Sequence, residues 1–430
     1  MKPLNVVVIG AGIVGCSTAQ QLAQAGHHVT VVDKAAAAGH GSTSASSGVV
    51  RFNYTTFDAV ALAWEARHAW GDWRSHLGAA DSEPLARFHQ VGMLMTDVPI
   101  FNMQRSVDLF IRAGIPHRVV DAAGMAELVP GIDTGRYWPN KRVDDPAFWH
   151  DAASQLSGMF TPDGGYVDDP ALAAHNMADA ARRAGATFRF RTEVTAIQRV
   201  DGRVNGVRLG ICEVINADVV LNAAGPWSAA VNRMAGAGSD FTVTLAPMRQ
   251  EVHHVPAPRG YGNAPVIGDL DLGTYFRPDG AGGLLVGGTE PECDPLEWVD
   301  DPDEVGMAPT QAVFEAQVTR AARRLPDLGV PGSPSGIVGV YDVSSDWSPI
   351  YDKTDVPGFY LAAGTSGNQF KNAPVIGQVM RALIEAVEGG HDHDVDPVVF
   401  LGPRTGLPVN LGTFSRKRER NPDSSGTVMG

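Results

Sequence analysis

The strongest constraint lies in the first 33 residues, where a short β-branched run from Asn5 to Ile9 leads directly into Gly10-Ala11-Gly12-Ile13-Val14-Gly15. Helix-favouring residues follow from Ser17 to Ala25, Gly26 breaks them off, and a second apolar run, His28 to Val32, ends at Asp33. Strand, glycine turn, helix and strand in that order make a βαβ unit suited to a dinucleotide. Gly10 permits the tight turn, and Gly12 lets main-chain N–H groups approach a pyrophosphate at the helix N-terminus. Gly15 allows the helix to pack close to the strand. Ile13 and Val14 fill the turn between them, while Asp33, with Lys34 beside it, is placed to accept hydrogen bonds from ribose hydroxyls. The unit alone leaves NAD and FAD open. Its acidic Asp33 disfavours a 2′-phosphate, which makes NADP the least suited of the three.

The rest of the chain is long enough for two or three domains, at 430 residues with 44% hydrophobic and 19% charged. Acidic residues outnumber basic ones by 48 to 34, a net charge of −14 that repels polyphosphate and anionic lipid. Nucleic acid and acidic membranes are therefore not expected partners. Three scattered cysteines, Cys16, Cys212 and Cys293, provide neither a disulfide framework nor a zinc ligand set. No apolar run reaches the roughly 18 residues of a membrane span. Met1-Lys2-Pro3-Leu4-Asn5 lacks the basic and apolar regions of a leader. A soluble, cytoplasmic chain is expected, with its state of assembly left open.

Further along, Gly164-Gly165 precedes a helical segment from Leu172 to Ala184 and a strand from Thr187 to Arg191. Val194 lies in the strand continuing from it, and the apolar run Val219 to Leu221 ends in Asn222-Ala223-Ala224-Gly225-Pro226-Trp227. Such small residues after a strand suit a backbone pressed against something flat or charged. A second glycine-rich strand-to-helix junction, Gly364-Thr365-Ser366-Gly367-Asn368-Gln369-Phe370-Lys371, follows the strand Gly358 to Ala363 and precedes a helix from Val375 to Glu388.

Together with Gly41-Ser42-Thr43-Ser44-Ala45-Ser46-Ser47-Gly48-Val49-Val50-Arg51, these motifs make the chain resemble the D-amino-acid oxidase superfamily from Val6 to about Gly389. Within it, the resemblance is to the branch of monomeric sarcosine oxidase and dimethylglycine dehydrogenase. It implies an α/β chain with a Rossmann-like FAD-binding domain of the D-amino-acid oxidase type and a second, mixed antiparallel-sheet substrate domain. The FAD domain would be assembled from residues 1–85, 148–228 and 335–395, and the substrate domain from 86–147 and 229–334. Residues 396–430, with Arg416-Lys417-Arg418-Glu419-Arg420, read as a polar, solvated and mobile C-terminal tail.

The resemblance places Ser42, Thr43, Ser44, Val194, Ala224, Gly225 and Trp227 at the FAD, with Gly364, Gly367, Asn368, Gln369, Phe370 and Lys371 from the late motif. Arg51 and Lys371 occupy the positions that grip a substrate carboxylate in the family, one as a planar fork and the other as a point charge. Tyr275 matches a substrate-facing tyrosine. Adjacent His253 and His254 point to opposite faces of a strand, and each is read as structural. The implied chemistry is oxidation of a C–N bond in an amino acid or N-alkyl amino acid by hydride transfer to flavin, followed by imine hydrolysis. Alternatives are a flavin-bearing electron-transfer subunit and an NAD-dependent dehydrogenase. Relatives with covalent flavin carry a cysteine just before the segment matching Asp346-Trp347-Ser348-Pro349-Ile350, and here that region reads Val338-Gly339-Val340-Tyr341-Asp342, so non-covalent FAD is expected. Leu285 stands where sarcosine oxidase has its oxygen-activating lysine, and Thr289 where a histidine follows it. The acceptor, oxygen or another, is therefore open. Asn368-Gln369 replaces a common His-Gly pair.

Overall fold

The computed structural model describes residues 2–429, and its first sheet grows directly from the N-terminal pattern. Asn5–Ile9 lies between His28–Val32 and Val219–Asn222, flanked outward by Thr187–Arg189 and Phe359–Ala363. These five strands are parallel, and Ile350–Lys353 adds an antiparallel edge. A strand in the middle of a parallel sheet is covered on both faces, which is why Asn5–Ile9 is apolar almost throughout. Val6 and Val8 face one core with the helices Ile13–Gln24, Pro170–Arg183 and Ala373–Glu388. Val7 and Ile9 face another, lined by Val194, Ile197, Val204 and Val207 of a three-stranded antiparallel sheet. Helices Ile13–Gln24 and Ala373–Glu388 cross closely, since a Cβ at Gly377 would meet the Ser17 carbonyl oxygen at 2.3 Å.

The second sheet has nine strands and is antiparallel except where Val266–Asp269 runs parallel to Met93–Thr96. Helix Gln311–Arg324 covers one face, burying Phe314, Val318 and Ala321 against Ile267, Phe276, Leu284 and Val286. Alternation then turns Tyr275 and Arg277 to the other face, where Arg277 Nε donates to the Ser47 carbonyl at 2.6 Å. That face fronts the serine-rich loop of the first unit. Gly158–Thr161 pairs with Met93–Thr96, and Gly336–Ser344 pairs with Leu245–Pro256. Both segments thus hydrogen-bond into the second sheet, although the sequence boundaries group them with the FAD domain.

The expected solvated tail is corrected by the fold. Val409, Leu411 and Phe414 are buried, and Arg416 is only 1% exposed. Its guanidinium meets Asp240 at 2.6 Å, Asp352 at 3.0 Å and Asp394 at 2.9 Å, while Arg418 holds Asp346 at 2.7 Å. The charge run that looked solvated is matched by carboxylates distant in sequence, and the Arg416 guanidinium is raised above its ordinary range despite its burial. The histidine reading agrees with the fold. His253 is fully buried with its ring 5.2 Å from that of Phe314, and half-exposed His254 holds Asp279 at 2.8 Å.

Candidate flavin and substrate site

The cavity of the first unit opens where the strands of the parallel sheet end, as expected for an open α/β sheet. Gly10, Gly12, Ile13 and Val14 form its floor. Gly10 has φ +106°, and a Cβ there would lie 2.3 Å from the Ala223 carbonyl oxygen, so only glycine fits between the two strand ends. Gly15 lies behind the wall, where a Cβ would meet the Gly10 carbonyl oxygen at 2.0 Å. Helix Ile13–Gln24 has no side-chain cap at Gly12 and no acidic residue in its first turn. Thr43 Oγ1 accepts from Ile13 N–H at 3.2 Å and brings the serine-rich loop to the helix end. Its positive end is thereby open to an anion such as a pyrophosphate.

Asp33 lines the cavity and braces the turn, accepting from Ala11 N–H at 2.6 Å and Ala35 N–H at 2.7 Å. Lys34 lies 4.1 Å from the centre of the Trp227 ring and 2.6 Å from Asp303, and all three border the cavity. The indole Nε1–H of Trp227 is buried without a hydrogen-bond partner among the described residues. A buried donor on a cavity wall fits a polar ligand group. Ser42, Val194, Ala224 and Gly225 complete this end.

At the opposite end stand Gly367, Gln369 and Phe370 with Tyr341, Asp342 and Thr365. Gly367 has φ +70°, and a Cβ would enter the Tyr341 ring at 2.3 Å. Gln369 Oε1 accepts from Tyr351 at 3.0 Å and from Asn372 at 2.6 Å, a buried network that fixes its amide. Ser44, Gly364 and Asn368 do not reach the wall. Ser44 is exposed and donates to Gly41, Gly364 turns the chain at φ +66°, and the Asn368 carbonyl accepts from Tyr54 and Lys371.

Arg51 and Lys371 come together just behind this end. Both flank the Tyr54 ring, with the guanidinium carbon 5.1 Å and Lys371 Nζ 4.9 Å from its centre. Arg51 donates to the carbonyls of Asn53 and Val428, and Lys371 donates to that of Asn368. Among the described residues neither is in an ion pair. Burial and the nearby Arg51 hold the Lys371 ammonium well below its usual range, and burial lowers Arg51 as well. Half-buried Tyr275 is pushed up to about 12 by burial, against a hydrogen bond with Ser47. Sequence reasoning missed Glu290, whose carboxyl is pushed up to about 8 by burial and lies in the field of Arg51. It also missed Tyr341, Asp342 and His40 on the cavity wall.

A profile described as "FAD dependent oxidoreductase", the DAO family, matches residues 5–383. The chain belongs to the DAO family of FAD-dependent oxidoreductases. As a DAO-family enzyme it is 24% identical over 436 residues to the Bos taurus "FAD-dependent oxidoreductase domain-containing protein 1", covering 93% of this chain and 84% of that one. The Mus musculus protein of the same description is 29% identical over 258 residues, 54% of this chain and half of its own length. Mitochondrial sarcosine dehydrogenase of Homo sapiens is 26% identical over 84% of this chain, and the match spans only 37% of that larger protein. Among solved structures, L-proline dehydrogenase from P. horikoshii shares the fold with a TM-score of 0.75 at 21% identity, covering 97% of both chains. Glycine oxidase from Geobacillus kaustophilus does so at 0.71 and 20%, over 91% of this chain and 97% of that one. The DAO-family assignment makes the chain FAD-dependent, and the uncapped helix end and the unpartnered indole donor of the cavity fit that cofactor. Among the described residues no helix is long and apolar enough to cross a membrane.

Proposed function

We propose that this flavoenzyme oxidises the C–N bond of an amino acid or N-alkyl amino acid, which Arg51 and Lys371 hold by its carboxylate. The observation supporting this reading is a pair of buried basic side chains, 6% and 4% exposed, with no ion pair to either among the described residues. Two such charges are costly beside one another, and an arriving carboxylate offsets that cost. The planar Arg51 fork takes two carboxylate oxygens and Lys371 approaches as a point charge. Tyr54, between them, presents its ring to both cations. FAD, when bound, accepts the hydride from the substrate carbon that bears nitrogen. The resulting imine is hydrolysed by water. The direct test is anaerobic mixing of the holoenzyme with amino acids, N-alkyl amino acids and carboxylate-free amines. Loss of flavin colour with the acids alone is expected. Bleaching by none of them would favour a subunit that receives electrons from a partner.

FAD is held without a covalent bond in this proposal. Cys16 is buried against the Ala11 carbonyl, and neither Cys212 nor Cys293 borders the cavity. Acid precipitation should leave all the yellow colour in the supernatant; colour in the pellet would point instead to His40 on the wall.

Reoxidation by oxygen is expected to be slow relative to reduction. A cation beside the flavin stabilises the superoxide that forms after the first electron transfer, and Leu285 cannot provide one. Leu285 lies opposite Arg277 in the pairing of Thr274–Pro278 with Gly283–Gly288, but Arg277 is already engaged by the Ser47 and Pro278 carbonyls. Rapid mixing of the reduced enzyme with oxygen should give a slow rate that Leu285→Lys increases. Reoxidation as fast as reduction, with no gain in the variant, would overturn this argument.

A further inference from the structure

Glu290 has no role in the reading above, yet four observations mark it as a ligand-binding group. It follows the strand Gly283–Gly288, and its backbone is left-handed at φ +51° without being glycine, a conformation retained where surrounding structure enforces it. Its side chain is 8% exposed. Oε1 has no hydrogen-bond partner among the described residues. It interacts electrostatically with Arg51, Tyr275 and Tyr341, the last of which lines the cavity.

One further contact is the most specific of all. Glu290 Oε2 accepts from Val428 N–H at 3.2 Å, and the carbonyl oxygen of the same residue accepts from Arg51 Nη2. Nitrogen, Cα and carbonyl of Val428 therefore bridge an acid and an arginine. That is the N–Cα–C–O skeleton of an α-amino acid, and its nitrogen carries a second carbon substituent, as in an N-alkyl amino acid. The chain's own backbone thus displays how the two side chains grip such a unit.

We propose that Glu290 binds the nitrogen of the substrate while Arg51 binds its carboxylate, so that the pair selects α-amino and α-imino acids over acids lacking nitrogen. Val428 occupies both contacts and must withdraw when substrate enters. This inference rests on the carboxylate assignment of Arg51 and adds the group that reads the other end of the ligand. Oε1 gains the partner it lacks, and the positive amine offsets the cost of a buried carboxylate.

The test uses the full-length holoenzyme without oxygen and two matched pairs of ligands: N-methylglycine with butanoate, and L-proline with cyclopentanecarboxylate. Binding is read from the change in flavin absorbance on mixing, before any reduction. The nitrogen-bearing member of each pair should bind more tightly in the unaltered enzyme. Glu290→Gln should narrow that gap by roughly tenfold or more, a typical effect of losing a charged hydrogen bond, and leave the nitrogen-free acids unchanged. Val428→Pro, which removes the N–H that Glu290 accepts from and also fixes φ at that position, should preserve the gap. If Glu290→Gln leaves the gap intact, or if it and Val428→Pro shift both members of each pair equally, Glu290 merely anchors the Val428 segment and the proposal is overturned. Arg51→Ala separates the two levels: it should weaken all four ligands. If it weakens none, or if none binds the unaltered enzyme, the carboxylate reading fails and this inference with it.

Discussion

Arg51→Ala and Lys371→Ala should each weaken binding of the acid substrate by roughly 30- to 4000-fold, the range of about 2–5 kcal/mol typical for one partner of a buried charged contact. The large effect follows from burial, since both cations flank Tyr54 away from solvent and no water replaces them in contact with the ligand. Arg51→Lys should recover only part of the loss, because an ammonium cannot reproduce the bidentate fork. Neither side chain lines the flavin cavity itself, so the visible spectrum of bound FAD should stay near normal. The two losses should not add in the double variant, since the residues share one ligand and influence one another directly. The measurement is the substrate dependence of anaerobic flavin reduction. Equal losses for carboxylate-free amines would show that the cations support the fold and not the ligand.

Arg324→Met, at the end of the helix that covers the second sheet, should be strongly destabilising, costing about 3–5 kcal/mol. Arg324 is fully buried, meets Asp269 at 2.7 Å and Asp271 at 2.8 Å, and donates to the carbonyls of Asp133 and Gly135. Removing it strands two buried carboxylates side by side. Burial and the charge of Asp269 already raise Asp271 above its usual range with the arginine present. Without Arg324 the folded state retains protons that the unfolded chain releases, so the deficit should deepen as pH rises from the ordinary carboxylate range. Urea midpoints at pH 5 and pH 8 for the variant and the unaltered chain check this. A midpoint unchanged at pH 8 would contradict it.

The parts legible in sequence were those whose pattern is local. Gly10, Gly12 and Gly15 lie within one turn, and the burial of Asn5–Ile9 on both faces is a direct reading of its nearly continuous apolar run. Arg51 and Lys371 were reached only through the resemblance of their flanking motifs, since a lone cation carries no signature of burial. Glu290 carried no signal at all, because its significance depends on Val428 reaching Arg51 across 377 residues. The same reason explains the misread tail: Arg416 looks solvated until Asp240, Asp352 and Asp394 are brought to it by the fold. A polar charge run predicts exposure only where no distant carboxylates are organised to receive it.

The strand order of the parallel sheet also bears on how the chain is made. Val219–Asn222 finds its outer neighbour only when Phe359–Ala363 has been synthesised, and the Gln369 end of the cavity follows later still. At ribosomal speeds that interval is on the order of 10 s. During it a largely apolar strand presents an open hydrogen-bonding edge, a surface prone to pairing with other chains. The nascent chain thus passes through an adhesive stage in which neither the parallel sheet nor the cofactor cavity can close.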